Sequence, residues 1–126
     1  IVNPISVVAT TAALRSGEPW LQELLAYLDE NFDYVKTTIA AKLPDATFFV
    51  PDATYLGWID LGSYFPPDTD LTRYFAETAG VLIEGGNLFI ADADGYIRIN
   101  VACPRATLVD GLSKIIDAVA VASASR

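Results

Sequence analysis

At 126 residues the chain has room for one compact core and no second domain, and a 52% hydrophobic content is high enough to reserve part of its surface for a partner. Sixteen acidic against eight basic residues leave a formal charge of -8, which repels nucleic-acid phosphates and anionic lipid heads. Cys103 is the single cysteine and histidine is absent, so neither an intrachain disulfide nor a Cys/His zinc site can be assembled and a reducing cytoplasm fits best.

No apolar run approaches the roughly 18 residues of a membrane span, and the N-terminus lacks a signal-peptide pattern. The start at Ile1, without methionine and almost directly in a helix, leads us to expect a segment trimmed from a longer protein. Between Pro4 and Arg15, Ile5, Val8, Ala9, Ala12 and Ala13 recur at helical spacing and form a narrow, small-residue face suited to close packing against another element. Gly17, expected in the left-handed conformation, and Pro19 then break and restart the chain. From Trp20 the spacing predicts a longer helix ending near Leu43, before Pro44. Its apolar face is Leu21, Leu24, Leu25, Leu28, Phe32, Val35 and Ile39. Residues 1–43 are thus expected to be helical, and 44–126 to form the small α/β domain.

The period then changes to two. Ala46 to Val50 and Thr54 to Leu61 are predicted strands and plausible hairpin partners across the Pro51-Asp52 turn. Asp68 is the expected N-cap of a helix carrying Leu71, Tyr74, Phe75 and Ala79 on one face, closed by Gly80. Val81 to Glu84 is a predicted strand, Gly85, Gly86 and Asn87 a turn, and Tyr96 to Ala102 another strand. Thr107 with Asp110 resembles a capping box opening a final helix marked by Leu108, Leu112, Ile115, Ile116 and Val119, with Ala122 to Arg126 expected to fray. Strands bracketed by helices without regular alternation favour an α+β two-layer sandwich with a small, mainly antiparallel sheet covered by helices.

In the strand from Tyr96 to Ala102, the residues Ile97, Ile99 and Val101 face the core while Tyr96, Arg98 and Asn100 face the other way. Arg98 is therefore projected from a rigid element, and its planar fork suits a carboxylate. Spacing alone favours a solvated or salt-bridged strand arginine. Asp92 and Asp94 lack the further ligands of a calcium loop and suit a polar turn. Gly85 and Gly86 have no helix start or lysine after them that would make a phosphate cradle. Cys103 has no histidine to serve as its base and is expected to be a small buried residue. Lys114, beside Ser113, suits a solvated charge. No metal site is expected.

The string YIRINVACPR from Tyr96 to Arg105 resembles the C-terminal small domain of class I/II aminotransferase-fold (fold type I) enzymes that use pyridoxal 5'-phosphate. The likeness is to their carbon-sulfur lyase branch, typified by bacterial cystathionine β-lyases. Three further segments share it in order: GEPWLQELLAYLDEN from Gly17, DATYLGWID from Asp52 and AGVLIEGG from Ala79. The resemblance implies that Arg98 binds the α-carboxylate of an amino-acid substrate, that residues 1–43 connect to a large domain absent from this sequence, and that the parent is a homodimer with pyridoxal phosphate on a lysine upstream of this chain. Lys36, Lys42 and Lys114 lie outside the family's cofactor-lysine context, so no catalytic or cofactor-binding residue is expected here and the fragment alone is expected to be inactive. Arg105 is a family mark. Where the family commonly has glycine after the phenylalanine before the arginine strand, Ile90 follows Phe89. An aminotransferase of the same fold, or a free-standing α/β binding module, are the alternatives.

Overall fold

The computed structural model describes residues 3–89 and 93–124, so Ile90 and Asp92 lie outside the described residues. The elements are α1 (Pro4–Ser16), α2 (Glu18–Lys42), β1 (Thr47–Phe49), β2 (Leu56–Asp60), α3 (Leu71–Ala79), β3 (Glu84–Gly85), β4 (Tyr96–Asn100) and α4 (Arg105–Ala124), with a short 3-10 turn at Gly86–Leu88. The sheet order is β1-β2-β4-β3 and each pairing is antiparallel. One face of this sheet packs against α2, α3 and α4, giving the expected two-layer α+β arrangement.

Period-two sequence in β2 and β4 separates the sheet faces. Gly57, Ile59, Ile97 and Ile99 are buried against the helices, whereas Leu56, Trp58, Asp60, Tyr96 and Arg98 are only half-buried on the opposite face. Val35, Ile39, Ile59, Leu61, Phe75, Ile97, Leu112 and Val119 form the closed centre of the core. The hairpin joins β1 to β2 in register Thr47 with Asp60.

The helical stripe on α2 divides into two regimes. Leu28, Phe32, Val35 and Ile39 are buried, but Leu21 and Leu25 on the same stripe are exposed, because the first half of α2 extends beyond the sheet. No residue of α1 is buried, and Ile5 is 77% and Leu14 84% exposed. The small-residue face of α1 is therefore without a packing partner among the described residues.

Local chemistry corrects several expectations. Gly17 has φ -84 and stays right-handed, with its N–H on the Ala13 carbonyl, so α1 passes into α2 with little interruption. Glycine is required there by space, since a Cβ would lie 2.5 Å from the Ala13 oxygen. Asp70, not Asp68, caps α3 through the Arg73 N–H, while Asp68 takes a positive φ in the preceding turn. Gly80 does end α3 with φ 64. Only Glu84 and Gly85 pair as β3, against Arg98 and Ile97, and the predicted strand from Val81 is otherwise irregular. Helix α4 opens at Arg105, so Thr107 lies inside it and its N–H donates to the Pro104 carbonyl; Asp110 instead pairs with Lys114. The helix also persists to Ala124, further than the expected fraying point.

Asn31 is a polar member of the α2 stripe that the apolar pattern does not mark. It is fully buried, and its Nδ2 donates to the Val101 carbonyl at 2.8 Å and to the Cys103 carbonyl at 3.4 Å. The Tyr27 hydroxyl donates to the same Cys103 carbonyl, so α2 holds the end of β4 and the turn into α4. Its Oδ1 has no hydrogen-bond partner among the described residues, which subtracts from the benefit. Asn31→Ala is expected to lower the unfolding free energy by about 1–3 kcal/mol, because it strands a buried carbonyl. Denaturant unfolding checks this, and a loss below about 0.5 kcal/mol would show that the orphaned oxygen cancels the bonds.

Candidate functional site

The half-buried face of the sheet gathers the polar and aromatic side chains. Antiparallel register sets Trp58 on β2 directly across from Arg98 on β4, and Glu84 on β3 across from Arg98 on its other side. Directly opposed residues share a face, so the three side chains meet there. The Arg98 side chain is 25% exposed, which places its guanidinium at the surface of this face and outside the core.

Two neighbours fix it. Nε and Nη2 both donate to Oε2 of Glu84, the first at 2.7 Å. The Phe89 ring lies beneath the guanidinium, its centroid 4.7 Å from Cζ, and meets the edge of Trp58 at 4.9 Å. Trp58 in turn contacts Tyr96 edge-on at 6.4 Å. The Tyr96 hydroxyl bonds Asp60, which holds its phenol above the ordinary value. Asp60 also accepts the Gly62 N–H, tying the aromatic row to the turn after β2.

Arg98 makes the salt bridge of the alternative reading, with Glu84 as its partner. That bridge uses only part of the group. Nε and Nη2 make one edge of the guanidinium, and the second edge, formed by Nη1 with the remaining hydrogen of Nη2, carries no hydrogen bond shown among the described residues. Glu84 is the member that sequence reasoning missed. Its place in a two-residue strand gives no periodic signal, and only the tertiary register brings it to Arg98.

A cleft of about 680 Å³ runs along the edge of β4, lined by Arg98, Glu84 and Asn100 at one end and by Leu82, Leu108 and Leu112 among its apolar residues. It forms because the chain from Val81 to Ile83 leaves the sheet, so the edge of β4 beyond Arg98 is not covered by β3.

The remaining candidates have structural roles. Arg105 opens α4, with Cζ 5.1 Å from the Tyr34 ring centroid and Nη2 3.9 Å from Glu30, stapling that helix to α2. Cys103 is half-buried, and burial pushes its thiol up, away from the reactive thiolate. Lys114 is a partly exposed charge paired with Asp110 at 2.6 Å. Among the described residues no group of acidic and cysteine side chains could hold a metal ion, and no helix is long and apolar enough to cross a membrane.

Pyridoxal phosphate needs an amine for its aldehyde as well as a cradle for its phosphate. None of Lys36, Lys42 and Lys114 lines the cleft. The Gly85-Gly86 pair is closed as a phosphate cradle, since a Cβ on Gly86 would lie 1.7 Å from the Ala93 carbonyl oxygen. The residues present do not fit the cofactor by themselves. What they provide is a held guanidinium whose second edge carries no hydrogen bond among the described residues.

No protein-family model matches the chain. Cystathionine β-lyase PatB of Bacillus subtilis is 34% identical over 114 residues, 90% of this chain and 30% of that protein. Protein MalY of Escherichia coli is 32% identical over 91% of this chain and 30% of its own length. Among solved structures, the C-S lyase of Staphylococcus hominis bound to pyridoxal phosphate superposes with a TM-score of 0.89 at 47% identity, covering 93% of this chain and 31% of that one. The chain thus spans about 30% of the length of the curated relatives it matches.

Proposed function

We propose, for a chain that belongs to the cystathionine β-lyase and C-S lyase branch of the pyridoxal-phosphate enzymes, that it is the C-terminal domain gripping the amino-acid carboxylate in a larger enzyme. The supporting observation is the second edge of the Arg98 guanidinium, which carries no hydrogen bond among the described residues and lies on the half-buried face of the sheet. A guanidinium edge matches a carboxylate in shape and charge, so two parallel N–H bonds fix the substrate's direction as well as its place.

The whole enzyme's reaction is cleavage of the Cβ–S bond of an amino acid such as cystathionine, taking up water and releasing a thiol, pyruvate and ammonia. Pyridoxal phosphate, held by residues outside this sequence, supplies the sink for the electrons of the Cα–H bond. Arg98 acts by orientation: it anchors one end of the substrate so that Cα is presented in a single pose. Asn100, next but one along β4 on the same face, borders the cleft beside it.

Residues 1–43 connect this domain to the cofactor-bearing one in this reading. The exposed face of α1 and the first half of α2 are where that domain would pack, while the second half of α2 anchors the connection in the small-domain core. A cytoplasmic homodimer is the corresponding assembly. An aminotransferase is the second reading, favoured by the 30% identity over 112 residues to the LL-diaminopimelate aminotransferase of Maridesulfovibrio salexigens.

The full-length gene product decides between them. Incubated with cystathionine, it is expected to release pyruvate and thiol. Amino transfer to a keto acid without thiol release would overturn the lyase reading and leave the carboxylate grip in place.

A further inference from the structure

We propose that Glu84 is a positioning residue for substrate binding: it holds the Arg98 guanidinium by its Nε/Nη2 edge so that the Nη1/Nη2 edge meets the substrate carboxylate. This rests on the carboxylate role proposed for Arg98 and extends it to a residue that does not itself touch substrate.

The geometry argues for a brace. A single Glu84 oxygen, Oε2, accepts from both Nε and Nη2, so the second edge of the guanidinium is left for another anion. Glu84 is the more exposed partner, with half of its side chain accessible against a quarter for Arg98. Its backbone is anchored on both sides: β3 pairs it with Arg98, and the next residue, Gly85, donates its N–H to the Thr72 hydroxyl on α3 at 2.8 Å. Gly85 and Gly86 make these approaches possible, because a Cβ on either would meet Thr72 and Asn87 or the Ala93 backbone at 3.0 Å or less. Phe89 closes the face of the guanidinium. An arginine side chain free to sample its rotamers would lose that freedom on binding substrate; one already held by a carboxylate and a ring loses less.

The opposite role, in which Glu84 occupies Arg98 and competes with substrate, predicts the reverse sign. Kinetics of the intact enzyme separate the two. The KM and kcat for cystathionine are measured together with the inhibition constant of 3-(methylthio)propionate, which carries the carboxylate but no amine. Glu84→Ala is expected to raise both KM and the inhibition constant about tenfold, with kcat changed less than about twofold. Glu84→Gln, which keeps the size and one acceptor oxygen, is expected to raise them about threefold and carries the test if the alanine variant misfolds.

Arg98→Ala is the reference. If it raises both constants while neither Glu84 variant does, or if the Glu84 variants lower them, the brace is refuted and the grip stands. If Arg98→Ala moves neither constant, the grip itself fails and the brace falls with it.

Discussion

Replacing Arg98 by alanine in the full-length enzyme is expected to raise KM for the amino-acid substrate about 10- to 100-fold, the equivalent of a charge-assisted pair contributing about 1.5–3 kcal/mol. The absorption spectrum of the bound cofactor is expected to stay nearly unchanged, because no residue of this chain's cleft supplies its anchoring amine. Folding should be little affected. The lost ion pair has a half-exposed partner in Glu84, which water can solvate, and such pairs contribute about 0–1 kcal/mol to stability. Arg98→Lys separates charge from geometry. A lysine keeps the positive charge but offers one rounded donor group in place of two edges, so it cannot bond Glu84 and a substrate carboxylate along parallel lines. It is expected to recover only a fraction of the loss. An unaltered KM in Arg98→Ala would refute the carboxylate role.

The face carrying Arg98 was legible in the sequence because alternation along Tyr96 to Asn100 leaves no ambiguity once Ile97 and Ile99 are assigned to the core. What completes the site was not. Glu84 reaches Arg98 through a strand of two residues, too short to show a period, and Phe89 reaches it after a 3-10 turn. Both contacts depend on tertiary register. The helices show the same limit from another side: an apolar stripe tells which face of α2 is buried but not what covers each turn. Leu21 and Leu25 therefore continue the pattern of Leu28 and Phe32 and yet stand exposed. Asn31 fails in the opposite direction, a polar residue in the core because two backbone carbonyls needed a donor. Asp70 takes the cap expected of Asp68 because the helix begins at Leu71, a boundary that composition does not specify.

Phe75→Ala is expected to cost about 3–5 kcal/mol of unfolding free energy, the usual range for emptying a fully buried aromatic site. Phe75 is fully buried on α3 and meets Phe65 at 5.8 Å and Tyr74 at 5.4 Å, each nearly edge to face. Neither ring can readily collapse into the space. Tyr74 is tethered by its hydroxyl to the Ala118 carbonyl of α4, and Phe65 is itself buried against Tyr74. A domain of this size typically has about 5–15 kcal/mol in total, so the substitution removes about a fifth of it or more. The denaturant midpoint should fall with an unchanged slope, since the surface exposed on unfolding stays nearly the same. A loss below about 1 kcal/mol would mean that the aromatic cluster closes over the cavity, contrary to the tethering described. The consequence reaches the site because α3 also carries Thr72, whose hydroxyl holds the Gly85 N–H. Loosening α3 releases β3 from its second anchor. In the intact enzyme a folded Phe75→Ala variant should therefore show a raised KM at temperatures well below its unfolding midpoint, whereas a core defect isolated from β3 would leave KM unchanged.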